Sequence, residues 1–178
     1  MDRRQRKTRR AICDAFEDLL RQERYDAVTV SQIIERADIG RSTFYAHYET
    51  KDALLESMCD EMFAHIFKGV NKSCETHHDL RTATLEGKLA HLLYHLRDDH
   101  GGICGKLVVE REPHYTASFS EQLAELFESD LPVRPSSQPR DFVVDLLVSS
   151  FCEAVSWWLV KDPARSPEEV ASWFLLPF

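Results

Sequence analysis

The sequence predicts an all-α fold in two parts, a small helical domain over residues 1–51 and a larger one over residues 52–178. Apolar residues recur at intervals of three and four along most of the chain, the spacing that places them on one side of an α-helix. The seven prolines and six glycines fall mostly between these periodic segments. No long run of alternating apolar and polar residues indicates a β-sheet.

The first three helices are predicted to be short and closely spaced. Apolar residues in a single helical stripe predict a first helix from about Thr8 to Gln22. Thr29 is a natural N-cap for a second helix over Val30–Ala37. The tight turn Asp38-Ile39-Gly40 then leads to a third helix over roughly Arg41–Tyr48.

The larger part is predicted to contain six further helices. The fourth helix of the chain begins at Lys51 behind its cap Thr50, ends near Cys74, and is followed by a polar loop at residues 75–79. The remaining five cover Leu85–Arg97, Ile103 to about Arg111, Phe119–Leu131, Arg140–Val160 and Pro167–Leu176.

Two of these helices have distinctive N-terminal residues, and a third segment is predicted either as a helix or as partly extended. Ser118 or Ser120 is expected to cap the helix at Phe119–Leu131, and the proline-rich residues 132–139 break the chain after it. Ser166-Pro167-Glu168-Glu169 combines a cap, a first-turn proline and acidic residues, which together mark a helix N-terminus. The segment after Ile103 is predicted as helical or partly extended, because it contains Val108-Val109.

Composition is that of an ordinary globular chain, with 43% hydrophobic and 29% charged residues. No uninterrupted apolar run reaches the roughly 18 residues of a membrane span. The N-terminus has no apolar segment of a secretory signal, so a cytosolic product is expected. Five scattered cysteines predict free thiols rather than a disulfide framework: Cys13, Cys59, Cys74, Cys104 and Cys152.

Charge is distributed unequally along the chain, whose net charge is −8. Residues 1–51 hold eleven Lys/Arg and nine Asp/Glu, whereas residues 52–178 hold eleven and twenty-one. One end therefore tolerates phosphate and the other repels it. Six of the first ten residues are basic, which is consistent either with nucleic-acid contact or with a solvated terminus.

Residues 29–54 have the pattern of a helix-turn-helix. Two short helices are joined by three residues, and the first has a strong apolar side. In such a motif the first helix braces the second, whose exposed N-terminal residues enter the major groove of DNA. The brace is expected to consist of Ile33, Ala37, Ile39 and Phe44.

This stretch resembles the DNA-binding domain of the TetR family of bacterial regulators. The resemblance is carried by Ala37-Asp38-Ile39, by Arg41-Ser42-Thr43-Phe44-Tyr45-Ala46-His47-Tyr48 and by Lys51-Asp52-Ala53-Leu54. Asp38 replaces the usual turn glycine, and aspartate tolerates a left-handed backbone better than most residues. Gly40 and Arg41 stand where the family commonly has a serine and a variable residue, which leaves the operator sequence open.

The resemblance implies a set of DNA contacts. Arg41 is the candidate for a bidentate contact with guanine, Thr43 for a base methyl or a phosphate, and Lys51 resembles the family's phosphate-binding lysine. Phe44 and Tyr48 are expected in the core. The full set of predicted DNA-binding residues is Thr29, Ser31, Gln32, Arg41, Ser42, Thr43, Tyr45, His47 and Lys51.

The second part is expected, from the resemblance, to dimerise and to bind a small effector. The helix at Arg140–Val160 is apolar on more than one side, which favours burial against a symmetric partner, although a plain monomer core is the alternative. The predicted interface residues are Phe142, Leu146, Val155, Trp157, Trp158, Trp173 and Phe174. The predicted pocket residues, each of which is alternatively core, are Met62, Ile66, Leu89, Leu93, Leu107, Phe119, Leu123, Phe127 and Phe151.

Metal binding and thiol chemistry are minor alternatives. His91 and His95 lie one helical turn apart and His100 and Cys104 follow, but surface histidines are the expected explanation, so no metal or cofactor is predicted. Cys104 or Cys152 is a possible thiol sensor.

The resemblance implies a cytoplasmic, nucleoid-associated repressor rather than an enzyme. It would bind palindromic double-stranded operator DNA as a homodimer, without contact with a membrane, and an unidentified small-molecule effector would release it. The alternative is a family member that lacks ligand sensing and acts through DNA or a protein partner alone. No catalytic motif is present, and no catalytic residue is predicted.

Overall fold

In the computed structural model, residues 3–69, 83–98, 102–131 and 138–176 are described, except for the side chains of residues 65, 66, 68 and 69. Within these ranges the chain forms nine α-helices and no strand, which confirms the predicted all-α class. The helices are α1 Arg3–Gln22, α2 Val30–Arg36, α3 Arg41–Tyr45, α4 Lys51–Gly69, α5 Leu85–Asp98, α6 Ile103–Val109, α7 Pro113–Asp130, α8 Arg140–Lys161 and α9 Pro167–Leu175.

The chain divides into two compact units, Met1–Glu61 and Met62–Phe178. Helix α4 contributes residues to both units. The predicted domain boundary after residue 51 coincides with the start of α4 and stays a prediction.

In the first unit, α1 begins at Arg3 instead of at Thr8 as predicted. Arginine and lysine are good helix formers, so the basic residues continue the helix toward the N-terminus. The apolar stripe of α1 is buried as expected, with Ile12 and Phe16 at 0% exposure. A short 3-10 turn at Tyr25–Ala27 leads from α1 toward α2.

The second unit is built from packed helix pairs, in which α5 contacts α9, and α6 and α7 contact α8. The segment at Ile103–Val109 is helical, which resolves the open prediction. Three predicted segments lie outside the described residues: the end of the fourth helix beyond Gly69, the polar loop at residues 75–79, and most of the break at residues 132–139.

The prediction for the start of α7 was wrong by six residues. The helix begins at Pro113, with Glu112 rather than Ser118 or Ser120 as its N-cap. The Glu112 side chain accepts a hydrogen bond from the backbone N–H of Tyr115 at 2.6 Å. Proline at the first helical position has a backbone angle that already suits a helix and lacks an N–H that would go unpaired there.

Helix α8 is apolar on two opposite sides. One side is buried in the unit and includes Leu147, Phe151 and Trp158. The other is exposed and carries Phe142, Leu146, Trp157 and Val160, which fall within about 60° of the helix circumference at about 100° per residue. The prediction that this helix is apolar on more than one side is therefore confirmed.

By length and composition alone, α8 would also be long and apolar enough to cross a membrane. An 18-residue window has a mean hydropathy of 1.6, and 33% of that window is buried. The core helix of a water-soluble protein meets the same criteria, and the buried face of α8 is of that kind.

The histidines of α5 are not surface residues, which corrects the prediction. His91 and His95 are both at 0% exposure, and their Nε2 atoms lie 2.9 Å apart. His100 lies outside the described residues, and the described part of the chain contains no cluster of three or more His, Cys, Asp or Glu that could hold a metal ion. The described cysteines, Cys13, Cys59, Cys104 and Cys152, form no disulfide among the described residues.

Candidate nucleic-acid interface

The start of α2 is fixed by a capping box. Thr29 Oγ1 accepts from the backbone N–H of Gln32 at 3.3 Å, and Gln32 Oε1 accepts from the backbone N–H of Thr29 at 2.7 Å. The side-chain amide of Gln32 also donates to the Glu23 carboxylate at 3.2 Å. Both predicted contact residues therefore have local structural roles, whereas Ser31 on the same helix is exposed.

The turn between α2 and α3 has the geometry that the sequence predicts. Asp38 has φ +51°, in the left-handed region. This is the backbone conformation expected at a turn position where the family usually has glycine. Its N–H donates to Glu35 O and the N–H of Ile39 donates to Ile34 O, both at 3.2 Å, which is the hydrogen-bond pattern of a Schellman motif. The turn therefore satisfies the last carbonyls of α2 and directs the chain into α3.

One side of α3 is held in the core. Phe44 is at 0% exposure and packs near Tyr48, with 6.2 Å between ring centroids. Ile33 of α2 is also fully buried, whereas Ala37 and Ile39 are half-buried. The predicted core positions of Phe44 and Tyr48 are confirmed, and the brace rests chiefly on Ile33 and Phe44.

The opposite side of α3 faces solvent. Arg41 and Ser42 are exposed, and the Tyr45 side chain is 45% exposed. The Arg41 guanidinium lies 5.9 Å from the centroid of the Tyr45 ring, a distance at which the ring face attracts the cation. Thr43 and His47 are half-buried beside this row.

A shallow concavity of about 340 Å³ borders the start of α3. It is lined by Ser31, Ile34, Glu35, Asp38, Ile39 and Arg41. Arg41 therefore shares this concavity with two carboxylates, those of Glu35 and Asp38. The carboxylates disfavour a phosphate here, and Arg41 is the basic residue of the lining.

Lys51 has partners that the sequence did not indicate. Its Nζ donates to the backbone carbonyls of Tyr25 at 2.7 Å and Val28 at 2.8 Å, and lies 4.0 Å from the centroid of the Tyr25 ring. These carbonyls belong to the four residues before the Thr29 cap, so Lys51 ties the start of α4 to the segment that enters α2. A phosphate contact would use the remaining N–H of the ammonium group.

Arg9 is a structural residue that the sequence analysis missed. Its guanidinium donates to Tyr48 Oη and to Ser57 Oγ, each at 3.0 Å, and pairs with Glu61 at 2.5 Å. The bond to Glu61 is the largest of the effects that raise the Arg9 pKa above its ordinary value. The available signal was its position three and seven residues before Ile12 and Phe16, on the buried stripe of α1.

The other basic residues near the N-terminus are helical and exposed to solvent. Arg3, Arg4, Arg6, Lys7 and Arg10 are exposed on the first turns of α1.

The predicted pocket residues of the second unit are buried. Leu89, Leu93, Leu107, Phe119, Leu123, Phe127 and Phe151 have exposures of 0–1%, and Met62 has 6%. Ile66 lies in α4, but its side chain is outside the described part of the structure.

The predicted interface residues divide into two groups. Four are exposed by 42–54%, namely Phe142, Leu146, Trp157 and Trp173. Val155 and Trp158 are fully buried and Phe174 is 8% exposed, so these three pack inside the unit itself. A docking surface would consist of the exposed four.

Comparison with known proteins agrees with this architecture. Residues 12–58 match the family model of bacterial regulatory proteins of the tetR family. The chain is similar to a TetR transcriptional regulator of Streptococcus agalactiae 2603V, with 33% identity, a TM-score of 0.80, and coverage of 98% of this chain and 94% of that one.

Two curated relatives match over the N-terminal region only. The uncharacterized HTH-type transcriptional regulator YxbF of Bacillus subtilis is 39% identical over 71 residues, which are 37% of this chain and 19% of YxbF. The HTH-type dhaKLM operon transcriptional activator DhaS of Lactococcus lactis is 34% identical over 59 residues, which are 33% of this chain and 32% of DhaS. The chain therefore matches well under two thirds of the length of either relative.

These relatives are transcriptional regulators, a class of proteins without enzymatic activity, as the sequence predicts. Regulators of this family are soluble, cytoplasmic DNA-binding proteins. The match over nearly the full length of the streptococcal protein, together with the helix-turn-helix at α2 and α3, shows that this chain belongs to the TetR family of bacterial transcriptional regulators.

Proposed function

We propose that the protein is a homodimeric repressor that binds palindromic operator DNA through α3 and leaves it when a small effector binds the second unit. The observation that carries the proposal is the division of α3 into a buried side at Phe44 and an exposed side at Arg41, Ser42 and Tyr45. Such a protein works at the nucleoid in the cytoplasm.

The exposed side of α3 has the chemistry for reading a major groove. Arg41, at the N-terminus of the helix, can give two parallel hydrogen bonds to guanine O6 and N7. Tyr45 stands one turn further on and offers a hydroxyl to a phosphate, while its ring face restricts the guanidinium of Arg41. Thr43, His47 and Ser31 lie at the margin of this row as further contacts.

A second copy of the chain is the proposed partner of the exposed side of α8. Phe142, Leu146 and Trp157 would be costly to leave in water, and Trp173 of α9 adds apolar surface. A twofold axis brings the same side of two copies together. The two α3 helices must then be roughly 34 Å apart to reach successive major grooves.

Effector release follows by linkage. A ligand that binds more tightly to a dimer with a different α3 spacing lowers the affinity of the protein for DNA. DNA lowers the affinity for the ligand by the same factor.

The alternative, a family member without ligand sensing, is favoured by one observation. Seven of the nine predicted pocket residues have exposures of 0–1% and pack as an ordinary core. Ligand binding to the second unit decides between the two.

Fluorescence anisotropy with labelled DNA from the flank of the gene tests DNA binding. Arg41→Ala is expected to weaken binding about tenfold or more, since a good base contact contributes roughly 1–3 kcal/mol. Tyr45→Ala is expected to weaken it about tenfold or more as well, since a hydrogen bond to a charged phosphate contributes roughly 1.5–3 kcal/mol. Arg111→Ala is the control for Arg41→Ala, because it removes an exposed arginine from the second unit and changes the net charge by the same amount. Wild-type affinity in both α3 variants would refute the assignment of the interface.

A further inference from the structure

Glu112, the N-cap of α7, has an unusual environment for a carboxylate. The side chain is only 4% exposed. One oxygen, Oε2, accepts from the Tyr115 N–H, but the other, Oε1, is fully buried and has no hydrogen-bond partner among the described residues. A buried carboxylate oxygen without a donor is a costly arrangement, so its presence calls for a physical reason.

Thr116 provides a second polar atom of the same kind. It follows Glu112 by four residues, so the two side chains lie on the same side of α7. Its Oγ1 is fully buried and likewise has no hydrogen-bond partner in the described part of the structure. A helical threonine commonly bonds the carbonyl of the preceding turn, which makes this free hydroxyl notable.

An aromatic cluster includes two residues on the same side of α7 as Glu112 and Thr116. We define it as Phe63, Phe67, Tyr115 and Phe119. The Tyr115 ring centroid lies 5.1 Å from that of Phe63 and 6.0 Å from that of Phe119, and the Phe63 and Phe67 centroids are 6.0 Å apart. Aromatic faces carry negative charge density that attracts cations.

The arginine and the lysine nearest in sequence are engaged elsewhere. Arg111 is 71% exposed at its side chain and forms an ion pair with Glu153. Lys106 lies 3.9 Å from Glu110. Neither of these side chains is therefore taken as the counterion of the Glu112 carboxylate.

We propose that Glu112 and Thr116 form the polar end of a binding site for an apolar small molecule that carries a protonated amine. The ammonium group would donate to Glu112 Oε1 and Thr116 Oγ1, and the aromatic cluster would receive the apolar part. This rests on the effector-binding half of the proposed function and names the class of effector. Anionic ligands are disfavoured, because Glu112 would repel them in a segment, residues 52–178, with twenty-one acidic and eleven basic residues.

Three probes of equal skeleton and different charge test the chemistry: 4-phenylbutylamine, 4-phenylbutan-1-ol and 4-phenylbutyrate. Their dissociation constants for the full-length protein are measured by isothermal titration calorimetry at neutral pH. A hydrogen bond to a charged group predicts that the amine binds at least about tenfold more tightly than the alcohol, and that the acid binds most weakly. An amine that binds no better than the alcohol would overturn the proposal.

Variants then locate the site. Glu112→Gln retains an oxygen to cap Tyr115 but removes the charge, so it should reduce the preference for the amine over the alcohol about tenfold or more. Thr116→Val should reduce amine affinity by a smaller factor, and it serves alone if the first variant does not fold. Glu121→Gln is the control, because it removes an exposed carboxylate from the same helix. Unchanged amine preference in folded Glu112→Gln, or unchanged amine affinity in folded Thr116→Val, would contradict the site.

Operator binding, measured separately without any probe, distinguishes this inference from the function on which it rests. If DNA binding holds and the amine shows no preference, the site falls and the regulator remains. If the amine binds through Glu112 but no DNA binding is found, the proposed repressor function falls instead.

Discussion

Lys51 links three parts of the DNA-binding unit through one ammonium group. Two of its N–H groups are directed to the carbonyls of Tyr25 and Val28, and its charge lies over the Tyr25 ring. The Tyr25 hydroxyl in turn donates to Asp52, the neighbour of Lys51. The same side chain that is predicted to bind phosphate therefore also positions the residues before α2.

Lys51→Met should reveal both roles. Loss of hydrogen bonds from a charged donor is expected to lower the free energy of unfolding by about 1–3 kcal/mol, measured by urea denaturation. Loss of a phosphate contact should reduce the slope of log K for DNA against log salt by about one. Wild-type stability together with a reduced slope would show that the carbonyl contacts contribute nothing.

Cys152 is poorly suited to act as a thiol sensor. Burial is the largest effect that raises the pKa of its thiol above the ordinary value, and the same holds for Cys13. The reactive form of cysteine is the thiolate, so a raised pKa keeps both residues unreactive at neutral pH.

We therefore expect Cys152→Ser to bind DNA, and to respond to mild peroxide, in the same way as the wild-type protein. Anisotropy before and after oxidant measures both properties. Peroxide-dependent release of DNA by the wild type that is lost in Cys152→Ser would contradict this expectation.

At the scale of elements, the angle between α2 and α3 depends on a single left-handed residue. Asp38 has φ +51° and closes the Schellman hydrogen bonds at the end of α2. Residues with a Cβ carbon are strained in this region, aspartate less than most, and glycine is not strained at all. The direction of α3, and therefore of its exposed side, is set by this hydrogen-bonded turn.

Asp38→Gly and Asp38→Ala form a matched pair, because both remove the carboxylate and only one retains the Cβ carbon. Alanine should be less stable than glycine by about 1 kcal/mol, in a comparison of urea midpoints. DNA affinity should follow the same order if strain alters the direction of α3. Equal stability of the two variants would mean that the left-handed turn is not under strain.

At the scale of the whole molecule, the two units differ in what they expose. The first unit exposes basic residues on α1 and one side of α3, whereas the second exposes the apolar side of α8. Since residues 52–178 carry a net charge of −10, from eleven basic and twenty-one acidic residues, contact with DNA is favoured only at the N-terminal part. The acidic remainder discourages non-specific association with nucleic acid.

Trp157→Glu tests the proposed dimer. A charge at the middle of an apolar interface is expected to convert the dimer to a monomer in sedimentation equilibrium, because it cannot be buried without a partner. Operator affinity should fall with it, since two α3 helices no longer bind together. His114→Glu introduces a glutamate at an exposed position of α7 as the control. A dimeric Trp157→Glu protein would exclude this side of α8 from the interface.

Much of the fold, and the division of α3 into a buried and an exposed side, was determined by the sequence, because these features depend on local chemistry. The period of apolar residues predicted the helices, and the Ser166 cap and the left-handed Asp38 were predicted correctly. Phe44 and Tyr48 were assigned to the core, and Tyr45 to a DNA contact, from the resemblance of this stretch to the family's motif; the structure buries the first two and exposes the third.

Contacts between residues distant in the chain were decided only by the tertiary structure. The bonds of Lys51 to Tyr25 and Val28, and of Arg9 to Tyr48, join residues 23 to 39 positions apart. The burial of His91 and His95, and of the Glu112 oxygen, depends on which helices pack over them. Hydrophobic period indicates which side of a helix is buried, but not which polar group lies beneath a neighbouring helix, because packing is non-local.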